Sequence, residues 1–233
     1  MALPELERLV GVMTRLRHEC PWDAQQTHRS LVQYLVEETA ETIEAIEVGD
    51  QDHLREELGD LLLQVIFHAE IASERDRGFT VEDVAKGIAD KLISRHPYVF
   101  ATAEVPSDLH YTWEERKAAE KGRTSALQGI PTQLSALARA NKIISRARSR
   151  RVDVALPEDP TTPEEVGTQI LELAARAQAA GIDPDQALRD AVRAIEARIT
   201  TAESARSNNP RPRSGHYPVE HVRATDPTAG TPT

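Results

Sequence analysis

Apolar residues recur at helical spacing along almost the whole chain. Leu6, Leu9, Val10, Met13 and Leu16 form a stripe of 3.6-residue period, which Cys20-Pro21-Trp22-Asp23 interrupts. A second helix is predicted from near Ser30 to about Val48, where Gly49-Asp50 stops it. A third is expected after Asp52 and runs to about Arg75, with Leu54, Leu58, Leu61, Leu62, Val65, Ile66 and Ala69 as its core side. Gly59 falls inside it. A mid-helix glycine costs roughly 1 kcal/mol relative to alanine, so close backbone approach is expected there. Thr80-Val81-Glu82-Asp83 reads as a capping box opening a fourth helix, which should end near Arg95 because Pro97 disfavours helix at His96.

Residues 97–112 read as a loop, followed by a short polar helix over about Tyr111–Lys121. Pro131 sits where a further helix should begin, and that helix should run to about Arg150. Residues 152–162, with Pro157 and Pro160, read as a linker. Thr162-Pro163-Glu164-Glu165 then supplies an N-cap, a proline at the first helical position and a capping-box glutamate. The helix it opens should end at Gly181, and Asp183-Pro184 opens the last one, to about Arg206. From Ser207 on, prolines and a dearth of large apolar residues predict a disordered tail. There is an internal echo. Glu56-Glu57-Leu58-Gly59-Asp60 resembles Glu164-Glu165-Val166-Gly167-Thr168, and Lys91 and Arg95 correspond to Ala194 and Arg198. The chain therefore reads as all-α with two related helical units, over 1–121 and 122–206, the second shorter, and a tail over 207–233.

Composition narrows the class. Of the 233 residues 39% are apolar, 28% charged and only 4% aromatic, which suits helices and argues against sandwiches, barrels and base-stacking platforms. The single cysteine, Cys20, excludes a disulfide framework and points to a reducing compartment. No secretory signal and no membrane-length apolar run are visible, so a soluble cytoplasmic protein is expected. The net charge of −10 is uneven: residues 1–120 carry 25 acidic and 12 basic residues, whereas 121–233 carry 13 and 16. The acidic half would repel nucleic acid, which is therefore not an expected partner. Residues 121–152 hold eight basic residues and no acidic one. They read as a helix packed along the acidic first unit or, alternatively, as a partner or nucleic-acid contact.

The informative stretch is Glu37-Glu38-Thr39-Ala40-Glu41 followed by Glu56-Glu57-Leu58-Gly59-Asp60. On a helix, Glu37 and Glu38 both share a face with Glu41, and Glu57 shares one with Asp60. The connection at Gly49-Asp50 is short, so the two helices should lie antiparallel and their carboxylates can converge. Such crowding raises carboxylate pKa values unless a cation relieves it, and oxygen donors suit Mg²⁺ or Mn²⁺ rather than zinc. The plainer alternative is a solvated acidic face, which is expected for Glu44 and Glu47 in any case. Lys91 and Arg95 share one face of the fourth helix, and Trp113 and Lys117 share one of the next polar helix. Cations so placed suit the outer oxygens of a polyphosphate, or else simply meet solvent. Trp113 can equally be a packing residue. His28, His53, His68 and His96 show no zinc spacing and read as structural or exposed. Cys20 lacks the setting of a nucleophile. No glycine-rich phosphate loop or Ser-His-Asp arrangement occurs.

Taken in order, Cys20-Pro21-Trp22-Asp23 with Gln26-Thr27-His28, the Glu-Glu-x-x-Glu at 37–41, the Glu-x-x-Asp at 57–60, Asp90-Lys91-Leu92 through Arg95-His96-Pro97, and Trp113-Glu114-Glu115 with Lys117 resemble the MazG nucleoside triphosphate pyrophosphohydrolases, within the all-α NTP pyrophosphatase superfamily. The resemblance covers most of residues 1–200. It implies tandem MazG-like units of four-helix-bundle type, assembled as a homodimer. It implies Mg²⁺-dependent hydrolysis of NTPs or dNTPs to the monophosphate and pyrophosphate, with Mn²⁺ as a substitute. Carried over residue by residue, Glu38, Glu41, Glu57 and Asp60 are the implied metal ligands, and Glu37 and Glu56 are secondary candidates. Glu38 or Glu37 would orient the attacking water. Lys91, Arg95 and Lys117 are implied triphosphate contacts, and Trp113 part of the nucleotide pocket.

One departure bears on which unit works. The second unit has Glu165 but Thr168 where the metal-binding aspartate should stand, and the linker at 152–162 leaves no room for a Glu-Glu-x-x-Glu helix. A degenerate, inactive second unit is expected. Two other readings are a narrower pyrophosphatase for dUTP or a phosphoribosyl-ATP, and a non-catalytic helical interaction protein.

Overall fold

The computed structural model describes residues 3–106 and 108–208. Nine α-helices and no strand occur among them: α1 (Pro4–Glu19), α2 (Val32–Val48), α3 (Gln51–Ser73), α4 (Val81–Arg95), α5 (Pro97–Phe100), α6 (Leu109–Glu120), α7 (Ala136–Ser149), α8 (Pro163–Ala179) and α9 (Pro184–Asn208). None of these helices is long and apolar enough to cross a membrane. The helical ends follow the local chemistry of the sequence. Gly49 takes the left-handed conformation (φ 80°) that terminates α2, and Asp50 caps α3 by accepting from the backbone N–H groups of Asp52 and His53. Thr80 and Asp83 form the full capping box of α4, and Thr162 and Glu165 that of α8.

By packing, the chain divides into two units, 1–105 and 106–233. The first is built on the hairpin of α2 and α3, with α1 and α4 also packed on α3. Its core is Met13, Leu31, Ile66, Phe67 and Ile71, bordered by Leu9, Val10, Tyr34, Leu63 and Val81. Each such side chain contributes roughly 1.5–3 kcal/mol on full burial. Trp22 meets Tyr34 and Phe67 edge-on, with ring centroids 5.8 and 6.4 Å away. Arg17 ties α1 to the end of α3 through Glu74 and also donates to the carbonyls of Asp23 and Gln26.

The second unit is centred on α7 and α9. Ala126, Ile130, Ile143, Ala147, Val192 and Ile199 form its core. Arg139 on α7 pairs with Glu196 on α9. α8 packs on α9 and buries no residue of its own. α6 packs on α7, so the packing division falls between Val105 and Pro106 and not at the expected 121/122. The Glu114 side chain of α6 meets Lys142 and Arg146 of α7.

Several sequence expectations need correction. The buried side of α3 is Glu57, Gln64, Ile66, Phe67, Ala69, Ile71 and Ala72, whereas Leu58, Leu62 and Val65 are exposed. A methyl group built at Gly59 meets nothing within 4 Å, so no close backbone approach explains that glycine. α7 opens at Ser135, whose hydroxyl accepts from the N–H of Ala138, four residues beyond Pro131. The stretch 97–112 holds the short α5 and the start of α6. Of the expected tail, Ser207 and Asn208 end α9, and 209–233 lie outside the described residues.

Candidate functional site

The two-residue joint Gly49-Asp50 folds α2 back along α3 and fixes their relative phase. Glu38 and Glu41 of α2 thereby face Glu57 of α3, with one carboxylate oxygen from each lying within 4.8 Å of the other two. Glu57 is only 7% exposed. Its Oε1 is met by Nε2 of His53, one turn earlier, at 3.0 Å. Its Oε2 is buried with no hydrogen-bond partner. An orphaned carboxylate oxygen in such a place costs stability unless something else engages it.

Electrostatics follows the geometry. Burial, then the charges of Asp60, Glu41, Glu57 and Glu37, push the Glu38 carboxyl above its ordinary value. Glu41 is pushed up by desolvation, then Glu57, Glu37 and Asp60, with His53 opposing. Asp60 stands half-buried one turn beyond Glu57 and acts on both, although it is not one of the three mutually close groups. A divalent cation among these groups would relieve the repulsion. An all-carboxylate donor set suits a hard ion such as Mg²⁺ or Mn²⁺.

The other expected site residues are distributed as follows. Glu37 and Glu56 are exposed, on the same two helices. Glu37 lies near enough to raise Glu38 and Glu41. Lys91 is half-buried and Arg95 is buried, 5% exposed, on α4, which packs against α3. A solvated face is therefore the wrong picture of Arg95. Glu44 and Glu47 are exposed, as expected. Trp113 and Lys117 belong to α6 in the second unit, where Lys117 lies 3.5 Å from Glu114. Burial pulls the Lys117 ammonium below its ordinary value, against the pull of Glu114.

Sequence reasoning passed over His53 as one of several structural histidines. Its spacing of four residues from Glu57 on one helix was the available signal. A second histidine feature lies apart from the carboxylates. His28 and His68 stack with their Nδ1 atoms 2.8 Å apart, and burial followed by the His28 charge holds His68 below its usual pKa.

A helical hairpin presenting clustered carboxylates, in an all-α setting, defines a recognisable class, and comparison with known proteins bears this out. The family model for the MazG nucleotide pyrophosphohydrolase domain matches residues 26–100, which include every clustered carboxylate together with Lys91 and Arg95. The chain is 39% identical over 219 residues to the nucleoside triphosphate pyrophosphohydrolase/pyrophosphatase MazG of Thermotoga maritima, covering 84% of this chain and 85% of that protein. An uncharacterized 26.1 kDa protein of Streptomyces cacaoi is 48% identical over 199 residues, covering 84% and 81%. A nucleoside triphosphate pyrophosphohydrolase of Mycobacterium tuberculosis is 41% identical over 204 residues, covering 85% of this chain and 59% of that protein. The chain belongs to the MazG family.

Proposed function

We propose that this protein hydrolyses nucleoside triphosphates, ribo- or deoxyribo-, to the monophosphate and pyrophosphate in a Mg²⁺-dependent reaction carried by the first unit. The observation that carries the reading is the triangle of Glu38, Glu41 and Glu57, whose buried member, Glu57, has a carboxylate oxygen without a hydrogen-bond partner. Its position inside the segment matched by the pyrophosphohydrolase family model supports the assignment of the chemistry. Glu38, Glu41, Glu57 and Asp60 would hold Mg²⁺, with Mn²⁺ as substitute. The ion, when bound, supplies charge neutralisation at phosphate oxygens and a lowered pKa for water.

The chain's own groups then have separate tasks. His53 holds the Glu57 carboxylate through Oε1, and Oε2 has no hydrogen-bond partner. Glu38, with its pKa raised, or the exposed Glu37 orients the water and takes its proton as the water oxygen attacks the α-phosphorus. The bond from that phosphorus to the bridging oxygen breaks, and pyrophosphate leaves with the electron pair. Lys91 and Arg95 offset the charge developing on the phosphates. The second unit carries no catalytic site of this kind in our reading. Thr168 stands at the place of Asp60, and Glu165 is engaged as the capping residue of α8.

We also propose a homodimer. The first unit leaves Val36, Ile43 and Ile46 of α2, Leu58 of α3 and Leu92 and Ile93 of α4 exposed, an apolar surface that a second copy would cover. The single cysteine supports a cytoplasmic setting.

The test incubates the protein with Mg²⁺ and each common NTP and dNTP, with products resolved by ion-exchange chromatography and Asp60→Ala alongside. Monophosphate plus pyrophosphate, lost in the variant, is the expected result. No turnover with Mg²⁺ or Mn²⁺ would overturn the reading, and turnover of a single substrate would narrow it. Reaction in ¹⁸O-labelled water should place the label in the monophosphate. Light scattering coupled to size exclusion should give twice the chain mass.

A further inference from the structure

The second unit holds a cluster of cations that the reaction proposed for the first does not use. Arg146 of α7 is 5% exposed. Its Nη1 donates to the carbonyl of Gln128 at 2.7 Å, which fixes the guanidinium. Its Nε is buried without a hydrogen-bond partner, 4.0 Å from Oε2 of Glu114. One turn on, Arg150 donates through Nη2 to the carbonyl of Arg123 at 2.8 Å, while its Nη1 is likewise buried and unpartnered. The Arg123 guanidinium lies beside Gly129, its Nε and Nη2 both 3.5 Å from where a Cβ would stand. These three arginines line one cleft together with Glu114, Ser125 and Ser149.

The charge balance is one-sided. Glu114 is the single carboxylate lining the cleft, and it is shared among Lys117 at 3.5 Å, Lys142 at 3.7 Å and Arg146 at 4.0 Å. Burial opposes its ionisation, but Lys117, Lys142 and Arg146 outweigh that and hold the Glu114 carboxyl below its ordinary value. Burial first, then the neighbouring Arg123 and Arg150 charges, pull Arg146 down. Buried guanidinium donors without acceptors are costly, and the planar fork of arginine matches the oxygens of a tetrahedral anion.

We propose that this cleft is a binding site for a phosphate-class oxyanion, held by Arg123, Arg146 and Arg150. The anion supplies the acceptors that Arg146 Nε and Arg150 Nη1 lack, beside the charges of Glu114 in the cleft and of Glu203, which accepts from the N–H of Ala126 at its edge. The site lies wholly within the second unit and stands whether or not the first unit hydrolyses nucleotides.

The test uses the full chain in EDTA, so that no metal-bridged phosphate forms. Inorganic phosphate is titrated against sodium chloride at constant ionic strength, followed by calorimetry and by the thermal midpoint. A saturable heat and a rise in midpoint beyond that with chloride are expected. Arg123→Gln, whose side chain borders the cleft from a loop, should weaken phosphate affinity by about tenfold to a hundredfold, the usual effect of losing a charged hydrogen bond. Arg150→Gln should do the same. Arg8→Gln, on the exposed face of α1 in the first unit, should bind phosphate as the parent does. Adenosine monophosphate is titrated in parallel. Binding that is lost in Arg123→Gln sustains the site: of phosphate alone it assigns a free ion, and of both it assigns a phosphoryl group of a larger molecule. Phosphate acting no differently from chloride would overturn it. So would phosphate binding retained in full by folded Arg123→Gln and Arg150→Gln.

Discussion

Glu57 concentrates the consequences of single substitutions in the α2–α3 hairpin. Its Oε2 is buried and unpartnered, and its charge raises the pKa values of Glu38 and Glu41. Glu57→Gln should abolish Mg²⁺-dependent turnover while leaving the thermal midpoint in EDTA unchanged or higher, because it removes one charge from a crowded set. Turnover and midpoint measured on the same preparation check both halves. His53→Ala should weaken Mg²⁺ binding by about 10- to 100-fold, the usual effect of removing a group that orients a metal ligand. Titration of activity against Mg²⁺ reads it directly. A third expectation concerns pH. His68 is held below its ordinary value by burial and by His28, so the folded state prefers it neutral. Its contribution to stability is complete above the unfolded pKa of about 6.5, and is lost as pH falls through the lower folded value. Unfolding midpoints across that window should decline, and His28→Gln should make the decline shallower without removing the part due to burial. At this scale the acidic ligands were legible, since carboxylates at three- and four-residue spacing announce a shared face. His53 was not, because one histidine among eight carries no meaning until its partner is seen to be buried.

At the scale of elements, the ends of helices were read better than their faces. Capping is a local matter of one side chain and a few backbone groups, so Thr80, Thr162 and Gly49 could be assigned from neighbours in sequence. The face of α3 could not. Leu58, Leu62 and Val65 look like core by periodicity, yet they are exposed while the carboxylate of Glu57 is buried. Periodicity finds an apolar stripe but does not say which neighbour covers it. Pro131 misled for a related reason: proline is favoured at a first helical turn, but Ser135 supplies the hydroxyl that starts α7. The joint between α2 and α3 gives a sharp test. Gly49 stands at φ 80°, where a side chain is strained, although a Cβ there would meet no other atom within 4 Å. Gly49→Ala should therefore cost about 1 kcal/mol through backbone conformation alone, read from denaturant unfolding. Because the joint sets the phase of the hairpin, apparent Mg²⁺ affinity should fall with it.

For the whole molecule, the sequence made the all-α class and family membership plain, and left the division of the chain less so. The echo between the Glu57 and Glu165 segments suggested equivalent units. In the structure Glu57 lies well inside α3 among buried residues, whereas Glu165 is exposed in the first turn of α8 and spends its carboxylate on the Thr162 cap. That cap, whose hydrogen bonds from Thr162 and Thr161 hold the Glu165 carboxyl below the usual value for a glutamate, was hidden by the likeness of the letters. Glu165→Ala should accordingly leave turnover unchanged and cost about 0.5–1 kcal/mol in stability from the lost cap, with kinetics and unfolding measured side by side.

The brevity of the Gly49-Asp50 joint has a kinetic consequence. Every carboxylate of the cluster sits on two consecutive helices, so bringing them together requires closing only a short stretch of chain, at small entropic expense. Contacts of that kind form early, ahead of those that join distant segments. The acidic cluster should thus assemble, and its mutual repulsion be felt, while the rest of the first unit is still disordered. A divalent cation present during refolding should then raise the folding rate as well as slow unfolding, and the relative size of those two effects measures how complete the hairpin is at the folding barrier.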